Sequence, residues 1–333
     1  MINSEKGTIA KLADKLKQGD RRSLSKAITL IESTRKDHRD KANRLMSQIT
    51  KHNHSSIRIG LTGTPGVGKS TFIECLGIQL IKAGKKVAVL AVDPSSTTSG
   101  GSILGDKTRM DLLSRSELAY IRPSPTNCNL GGVARRTNAS IILCEAAGFD
   151  IILVETVGVG QSETMVAEMT DIFCLLIAPA GGDELQGVKR GIMEIADLIL
   201  INKADGSLKE AAVRTCSEYS SALNLFRDRG SDPPDFPKAK TISALNGTAI
   251  KETWLEIRKL VTWRKKNDFF SQRRNKQKLI WFERELAYLI QKNIKDSNTI
   301  QKQREYYEEK ISSGQINPDV AADLLIQELF SKN

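Results

Sequence analysis

A glycine-rich segment between an apolar run and a helical pattern constrains the fold of this chain more than any other feature. It reads GLTGTPGVGKST, follows IRIGLT and opens STFIECLGIQLI, the strand–loop–helix context of a phosphate-binding loop. Glycines let successive backbone N–H groups point at phosphates, and the N-terminus of the following helix adds its positive dipole. The sequence therefore predicts a site for a nucleoside triphosphate, with the Lys69 ammonium on the β- and γ-phosphates. The residues expected at this site are Gly63, Thr64, Pro65, Gly66, Val67, Gly68, Lys69, Ser70 and Thr71.

Short apolar runs alternate with helical patterns from about residue 56 to residue 262. The runs are IRIGLT, VAVLAVD, IILVE, IFCLLIAP, LILINK and AKTISAL. This alternation is typical of βαβ units, and unbroken apolar runs indicate strands that are buried on both faces. We therefore predict an α/β fold, a P-loop NTPase with a doubly wound, mostly parallel sheet. The helices expected between the strands include Thr71–Lys82, Val133–Ala147, Glu184–Ala196 and Thr248–Val261.

Helical patterns without strands flank this central region. Apolar residues recur at helical spacing within residues 20–50, for which we predict a helix, and again in residues 282–290. Asn317 and Pro318 then open another helix as its N-cap and first residue. We predict an N-terminal helical extension (1–55), a P-loop domain (56–262) and a C-terminal helical arm (263–333). The apolar stripe of the arm packs either on its own domain or on a second copy of the chain.

A second motif, LILINKAD, indicates which base the nucleotide carries. The Asp205 carboxylate can accept hydrogen bonds from both N1–H and the exocyclic amine of guanine, whereas adenine presents an acceptor at the first position. We expect Asn202 to contact the O6/N7 edge of the purine and the stem of Lys203 to cover the base. The pattern therefore favours GTP. The expected base-binding residues are Asn202, Lys203, Asp205, Ser243, Ala244 and Leu245.

Acidic residues at strand ends predict a magnesium site and a switch. Asp93 follows VAVLAV, Glu155 follows IILV, and Asp106 lies in a loop rich in Ser, Thr and Gly. Open parallel sheets bind ligands at the carboxyl ends of their strands, and Mg²⁺ takes few carboxylates plus waters. Asp106 is either a ligand or the N-cap of a helix. Gly158 follows Glu155 at acid-x-x-Gly spacing, so we expect its N–H to contact the γ-phosphate. The candidate metal residues are Ser70, Asp93, Asp106 and Glu155.

Composition argues against a nucleic-acid reader, a membrane protein and a disulfide-rich protein. The net charge is +11, but residues 1–55 carry 13 basic and 6 acidic side chains, whereas residues 56–262 are neutral. A basic flank suits acidic partner surfaces or solubility, since no basic motif with interleaved aromatic residues is present. No apolar run is long enough to span a bilayer, and the N-terminus has no signal-peptide pattern. The five cysteines are unpatterned, which predicts reduced thiols in the cytoplasm.

Six segments in a fixed order resemble one family of P-loop GTPases. They are GDRRSLSKAITLIES, GTPGVGKST, VDPSSTTSGGSILGDKTRM, VETVGVGQSE, GGDELQGVKRGIMEIAD and NKAD, between about Gly19 and Val261. By these motifs the chain resembles the MeaB/MMAA (ArgK-like) family of GTPases associated with methylmalonyl-CoA mutase. The C-terminal helices resemble the dimerisation arm of that family.

The resemblance implies a homodimeric GTPase that binds GTP or GDP with Mg²⁺ and is slow until its partner stimulates it. Its implied task is to chaperone a cobalamin-dependent acyl-CoA mutase of the methylmalonyl-CoA mutase type. It would gate adenosylcobalamin loading and protect or reactivate that enzyme, with an adenosyltransferase as a further implied partner. We identify no cobalamin site in the chain itself.

The resemblance also assigns roles to individual residues. The segment GGDELQGVK matches a third switch, in which Lys189 is implied to accelerate hydrolysis by stabilising charge near the β–γ bridge. An exposed helix face is the alternative for Lys189, and Gln161 is a weaker candidate for holding the attacking water. Loop residues Thr97, Thr98, Asn127 and Cys128 depart from the usual family pattern. The candidate catalytic residues are Lys69, Glu155, Asp183, Gln186 and Lys189.

Two other function classes remain as alternatives. A P-loop kinase would transfer the γ-phosphate to a small molecule or a transport protein, which requires an acceptor pocket with a positioned base. A metallochaperone GTPase would require Cys or His ligands near the switches, and Cys128 has no such companion in the sequence.

Overall fold

The computed structural model describes residues 2–33, 35–49, 55–92, 110–123, 130–156, 162–179, 190–226 and 229–330. The chain divides into two compact units, Met1–Gln277 and Lys278–Asn333. The boundaries at residues 55 and 262 stay predictions, since the first unit includes residues on both sides of each.

A seven-stranded sheet forms the centre of the first unit, in the order β3-β2-β4-β1-β5-β6-β7. Every strand pair is parallel, which confirms the predicted α/β fold of the P-loop NTPase class. β1 lies between β4 and β5, so the phosphate-loop segment leaves the middle of the sheet. The strands are β1 Ile57–Gly63, β2 Val87–Val92, β3 Ala119–Arg122, β4 Ile151–Thr156, β5 Ile172–Ile177, β6 Leu198–Ile201 and β7 Lys238–Thr241.

Thirteen α-helices and one short 3₁₀ helix, Gly206–Leu208, lie within the described residues. Seven are in the chain before β5: α1 Ile2–Lys17, α2 Arg21–Glu32, α3 Lys36–Ile49, α4 Lys69–Lys82, α5 Asp111–Ser114, α6 Leu130–Ala146 and α7 Ser162–Met169. The others are α8 Arg190–Ile195, α9 Lys209–Leu223, α10 Ile250–Lys266, α11 Phe269–Asp296, α12 Asn298–Ser312 and α13 Pro318–Phe330. Among all the residues that the structure describes, no helix is long and apolar enough to cross a membrane.

Side chains alternate between the two covered faces of the sheet. Ile59 and Leu61 of β1 pack with α4 and α10 in one apolar core. Between them, Gly60 faces α7 on the other side, where a Cβ would lie 2.8 Å from Val166 Cγ1. Strands β2, β4, β5 and β6 are buried along their whole length, which explains their unbroken apolar sequences.

The N-terminal prediction needs one correction. The apolar face predicted for residues 20–50 is buried in α2, but this segment forms two helices instead of one. Ser33 takes an extended backbone at the end of α2, and its hydroxyl bonds to His38 Nδ1 at 2.8 Å and accepts from Arg35 N at 3.4 Å. Such local hydrogen bonds compete with helical ones, so the helix ends at this serine.

Strand β3, with the sequence AYIR, is absent from the strands predicted above. It has only four residues, too few for an apolar period, and forms because it pairs with β2 from Val87↔Ala119 to Leu90↔Arg122. Tyr120 of β3 is buried, and its hydroxyl lies 3.3 Å from Ser25 Oγ on α2. A tertiary contact, rather than local pattern, explains this strand.

The second unit contains the end of α11, with α12 and α13 packed against each other. Tyr307 of α12 donates to Glu328 Oε1 of α13 at 2.9 Å, and Gln303 donates to Glu328 Oε2 at 2.7 Å. The predicted cap of α13 is present, since Asn317 Oδ1 accepts from Asp319 N at 3.3 Å. Several large apolar side chains of this unit are exposed, among them Leu279, Phe282, Leu286, Leu289 and Ile290.

Candidate nucleotide-binding site

The phosphate-binding segment has two glycines whose positions exclude any side chain. Gly63 has a φ of +151°, and a Cβ there would lie 2.4 Å from the Leu176 carbonyl oxygen. Gly68, immediately before α4, has a φ of +96°, and a Cβ would lie 2.4 Å from Asn202 Nδ2. The loop therefore has its shape because its backbone passes very close to β5 and to the loop that follows β6.

Lys69 is the first residue of α4 and lies over this loop. Its side chain is buried, and Nζ donates to the carbonyl oxygens of Gly63 at 2.8 Å and Thr64 at 3.1 Å. The ammonium group thus stands at the N-terminus of a helix, where the helix dipole is positive as well. Together they make this corner of the molecule suited to an anion such as a phosphate.

Ser70 and Glu155 come together at the carboxyl ends of β1 and β4. Ser70 Oγ lies 3.4 Å from Glu155 Oε1, and Glu155 is buried. A hydroxyl and a carboxylate side by side are oxygen ligands that fit Mg²⁺. Across the described part of the chain, no group of three or more His, Cys, Asp or Glu side chains could hold a metal. Of the four predicted ligands, Ser70 and Glu155 lie among the described residues and the other two do not, so the metal site stays a prediction.

A buried pair of hydroxyls joins the same two strands. Thr156 at the end of β4 donates to Thr62 Oγ1 of β1 at 2.9 Å, one residue after Glu155 and one before Gly63. The parallel register between these strands also pairs Leu61 with Glu155. The position of the Glu155 backbone is thus tied to the start of the phosphate loop.

Asn202 joins the phosphate loop to the second nucleotide motif. It is buried at the end of β6; its Nδ2 donates to the Val67 carbonyl oxygen at 2.8 Å, and its Oδ1 accepts from Ala244 N at 2.9 Å. The NKAD motif predicts only a contact of Asn202 with the purine edge, and no sequence pattern indicates this bridge. Its contact with the base stays a prediction. The bridge uses only one of the two hydrogens of Nδ2, so the other can still donate to the purine.

Asp205 is oriented by Ser243, which lies in the loop after β7. The Ser243 hydroxyl donates to Asp205 Oδ2, while Asn246 N donates to Ser243 Oγ at 3.1 Å. Ser243 also forms an antiparallel bridge with Thr248, which closes the loop that contains Ala244 and Leu245. Lys203, between the two motif residues, is exposed and has a φ of +60°. The predicted base-binding residues thus lie together, with the half-buried carboxylate of Asp205 held by a neighbour.

A buried ion network lies at the amino ends of β5 and β6, whereas the nucleotide motifs follow the carboxyl ends of their strands. Arg264 of α10 donates to Asp197 Oδ1 at 2.6 Å and lies 2.7 Å from Asp232 Oδ1, and Arg229 also pairs with Asp197 at 3.1 Å. Burial is the largest single effect on Asp197 and would raise its pKa, but the charge and hydrogen bond of Arg264 and the charges of other nearby arginines together outweigh it, so this pKa is below its usual value. Sequence reasoning missed these residues. A signal was present, because Asp150, Asp171 and Asp197 each come directly before an apolar strand.

Several predicted site residues lie outside the described residues. They are Asp93, Asp106, Gly158, Gln161, Asp183, Gln186 and Lys189, as well as the atypical loop residues Thr97, Thr98, Asn127 and Cys128. The cysteines that the structure describes, Cys75, Cys144, Cys174 and Cys216, are all free thiols. Burial raises the pKa of the Cys144 and Cys174 thiols, which disfavours the reactive thiolate.

Comparison with known proteins gives consistent matches over most of the chain. The model of the family "Methylmalonyl Co-A mutase-associated GTPase MeaB" matches residues 24–299. The mouse protein "Methylmalonic aciduria type A homolog, mitochondrial" is 46% identical, over 100% of this chain and 82% of its own length. "GTPase ArgK" of Escherichia coli K12 is 46% identical, over 86% of this chain and 85% of its own length. A crystal structure described as "LAO/AO transport system kinase" is 34% identical with a TM-score of 0.75, covering 97% of this chain and 98% of that one.

Proposed function

Because the chain belongs to the family of methylmalonyl-CoA mutase-associated GTPases MeaB, we propose that it chaperones a cobalamin-dependent acyl-CoA mutase of the methylmalonyl-CoA mutase type. GTP hydrolysis is the activity of the chain, since relatives that it matches over most of their length are named GTPase or probable GTPase. In the proposed function, this hydrolysis gates adenosylcobalamin loading and protects or reactivates the mutase. The observation that carries the proposal is the family match across residues 24–299.

The nucleotide site supports the GTPase part through its two joined loops. We infer that the backbone from Gly63 to Thr71 binds the phosphates and that Asp205, held by Ser243, accepts hydrogen bonds from guanine. The bridge through Asn202 fixes the distance between the two binding regions. A rigid separation of this kind selects a nucleotide in which base and phosphates are correctly spaced.

Magnesium fits the oxygen atoms at the strand ends. Ser70 and Glu155, 3.4 Å apart, would hold the ion or its waters, with Asp93 and Asp106 as the other proposed ligands. Bound there, Mg²⁺ would offset charge on the β- and γ-oxygens. Lys69 is already placed at the phosphate loop, and the transition state for phosphoryl transfer spreads charge over oxygens that a cation can stabilise.

Partner-dependent catalysis is the part of the proposal that rests on the third switch. We propose that Lys189 stabilises charge near the β–γ bridge once the mutase docks, with Asp183 and Gln186 in the same segment. The Gly158 N–H would report the γ-phosphate, so switch order would follow GTP binding and hydrolysis. This arrangement predicts slow hydrolysis alone and faster hydrolysis with the partner.

The exposed apolar side chains of the second unit support a homodimer. Phe282 is 58%, Leu286 42% and Ile290 46% exposed. Apolar side chains that recur on one helix are usually covered by another surface. We propose that a second copy of the chain covers them.

We also propose an adenosyltransferase as a further partner in cofactor delivery. A cytoplasmic location stays a prediction.

The test is GTP hydrolysis with and without cobalamin-dependent acyl-CoA mutases of the source organism. We expect one of these mutases to stimulate hydrolysis, and Lys189→Ala to lose most of that stimulation while keeping its GTP affinity. Lys276→Ala is the matched control, because Lys276 is an exposed lysine on α11, far along the chain from the switches. If no cobalamin-dependent mutase changes the rate, the partner assignment is wrong and the GTPase remains.

Phosphoryl transfer to another acceptor is the second candidate function. The crystal structure that matches this chain along nearly its full length is described as a transport system kinase. Single-turnover reactions with GTP labelled at the γ-phosphate distinguish the two functions. Label found only in inorganic phosphate supports the chaperone GTPase, whereas label on a small molecule or transport protein supports the kinase.

A further inference from the structure

Helix α7 follows in the chain the segment with the proposed γ-phosphate sensor, and it packs against the sheet. It begins at Ser162, four residues after Gly158, and ends at Met169. Its carboxyl-terminal end is pressed against β1, since a Cβ on Gly60 would lie 2.8 Å from both Val166 Cγ1 and Thr170 Oγ1. The helix has 8 residues and is therefore about 12 Å long, so it acts as one rigid element.

Two side chains from α11 bind the last carbonyl groups of α7. Arg273 donates from Nε to Thr170 O at 3.2 Å and from Nη2 to Ala167 O at 3.2 Å. Gln277 donates from Nε2 to Thr170 O at 2.8 Å. The final carbonyls of a helix have no partner inside the helix, and a cation there also complements the helix dipole. The carboxyl end of α7 is thus capped by residues far away in the sequence.

The residue between these two donors anchors α11 itself. Arg274 donates to both carboxylate oxygens of Asp171, at 2.8 and 2.6 Å, and to the Ser56 carbonyl oxygen at 2.9 Å. Asp171 also accepts from Arg58 N of β1 at 2.9 Å. Consecutive arginines of α11 therefore have different partners. Arg274 binds residues beside the sheet, and Arg273 binds the carboxyl end of α7.

We propose that Arg273 and Gln277 are positioning residues that transmit the nucleotide state from α7 to α11. The proposal rests on the proposed role of Gly158 at the γ-phosphate. When the amino end of α7 shifts with the switch, its carboxyl end cannot slide over β1, because Gly60 leaves no free space there. The helix instead pivots about this contact, which turns its final carbonyl groups and changes the geometry of the three hydrogen bonds to α11, so residues 269–277 report whether GTP or GDP is bound.

Hydrogen–deuterium exchange of the full-length chain tests this transmission. With a non-hydrolysable GTP analogue instead of GDP, we expect peptides from α7 and from residues 269–277 both to change exchange rate, by about threefold or more. In the double variant Arg273→Ala/Gln277→Ala, the change persists in α7 and is lost in residues 269–277. Arg273→Lys alone keeps the change, because a cation still reaches the same carbonyls.

Lys276→Ala is the matched control, since Lys276 is exposed on the same turn of α11 and should leave both responses intact. A wild-type chain whose α7 responds to the analogue while residues 269–277 do not would overturn the proposal. The same holds if the double variant keeps the response in residues 269–277. Mutase-stimulated hydrolysis measured in the same preparations reports on the proposed function separately. The wild-type comparison decides the matter even if the double variant fails to fold.

Discussion

The side-chain amide of Asn202 donates a hydrogen bond of 2.8 Å to the carbonyl oxygen of Val67 and so joins the guanine motif to the phosphate loop. Its oxygen accepts from Ala244 N at the same time. Asn202→Ala would leave two buried backbone groups without partners, at a cost of about 1–3 kcal/mol each.

We therefore expect Asn202→Ala to weaken GTP and GDP binding alike and to lower the melting temperature. Fluorescent nucleotide titration and thermal unfolding measure the two effects. Asn43→Ala, on the exposed face of α3, is the control and should be neutral. Selective loss of only one nucleotide would contradict the bridging role.

Gly68 provides a test of close approach as distinct from backbone strain. Gly68→Ala adds a Cβ 2.4 Å from Asn202 Nδ2, whereas Gly84→Ala, at a φ of +76°, meets nothing within 4 Å. Both variants pay about 1–2 kcal/mol for the left-handed backbone, but only Gly68→Ala displaces the bridge. We expect nucleotide binding to be lost in Gly68→Ala and retained in Gly84→Ala. Equal nucleotide affinity in the two variants would show that the contact with Asn202 does not matter.

Asp205→Asn should change the base that the chain accepts. An amide can accept from N1–H but cannot accept from the guanine amine, and it can donate to the carbonyl that xanthine has at that position. We expect GTP hydrolysis at limiting nucleotide to fall about a hundredfold or more, and XTP hydrolysis to rise. Steady-state rates with GTP, XTP and ATP check this, with ATP as the nucleotide that should remain inactive. Unchanged preference for GTP would exclude Asp205 from base recognition.

Asp235 makes the acid stability of the first unit depend on two lysines. Hydrogen bonds from Lys238 at 2.7 Å and Lys259 at 2.6 Å lower the pKa of Asp235 to about 2, from an ordinary value of 3.8. The unfolded chain thus binds the proton first as the pH falls. The stabilisation is present above pH 4 and is lost between about pH 4 and pH 2.

Thermal unfolding from pH 7 to pH 2 tests this dependence. Asp235→Asn should be less stable than the wild type at pH 7, and the difference should shrink below pH 4. Asp323→Asn removes an exposed carboxylate that has no ion-pair partner in the described residues, and it serves as control. A constant difference at all pH values would mean that the lysines do not act on the charge of Asp235.

Arg264 is expected to matter more for stability than any exposed arginine of α10. Its side chain is buried and pairs with Asp197 and Asp232, so Arg264→Met leaves buried carboxylates with less compensation. Breaking such a network from one side costs about 3–5 kcal/mol. Denaturant unfolding of Arg264→Met and of Arg258→Ala, an exposed residue of the same helix, measures the contrast. Similar midpoints in the two variants would contradict this role.

Local chemistry explains which features could be predicted from the sequence. Gly63, Gly68 and Lys69 belong to one contiguous motif that can be recognised without its distant contacts, and the apolar strands before and after them have a strong pattern. Asp205 was placed with the base for a similar reason, because NKAD follows an apolar strand. These parts of the fold and site could be predicted because each motif is contiguous in the sequence.

The features that were missed depend on distant contacts. The Asn202 bridge joins residues 135 positions apart, and Arg264 meets Asp197 across 67 positions. No pattern in the nearby sequence indicates either contact. Strand β3 exists because β2 and α2 cover it. The helix break at Ser33 depends on a side-chain hydrogen bond that composition does not reveal.

The arginines of α10 and α11 determine where the chain can be shortened. A protein that ended at Thr262 would keep both nucleotide motifs and every strand, but it would lose Arg264 and Arg274. Asp171 and Asp197 would then remain in the interior without these counter-ions. The smallest autonomous GTPase therefore ends no earlier than Gln277. Its last required residues lie on α10 and α11, which follow the final strand of the sheet.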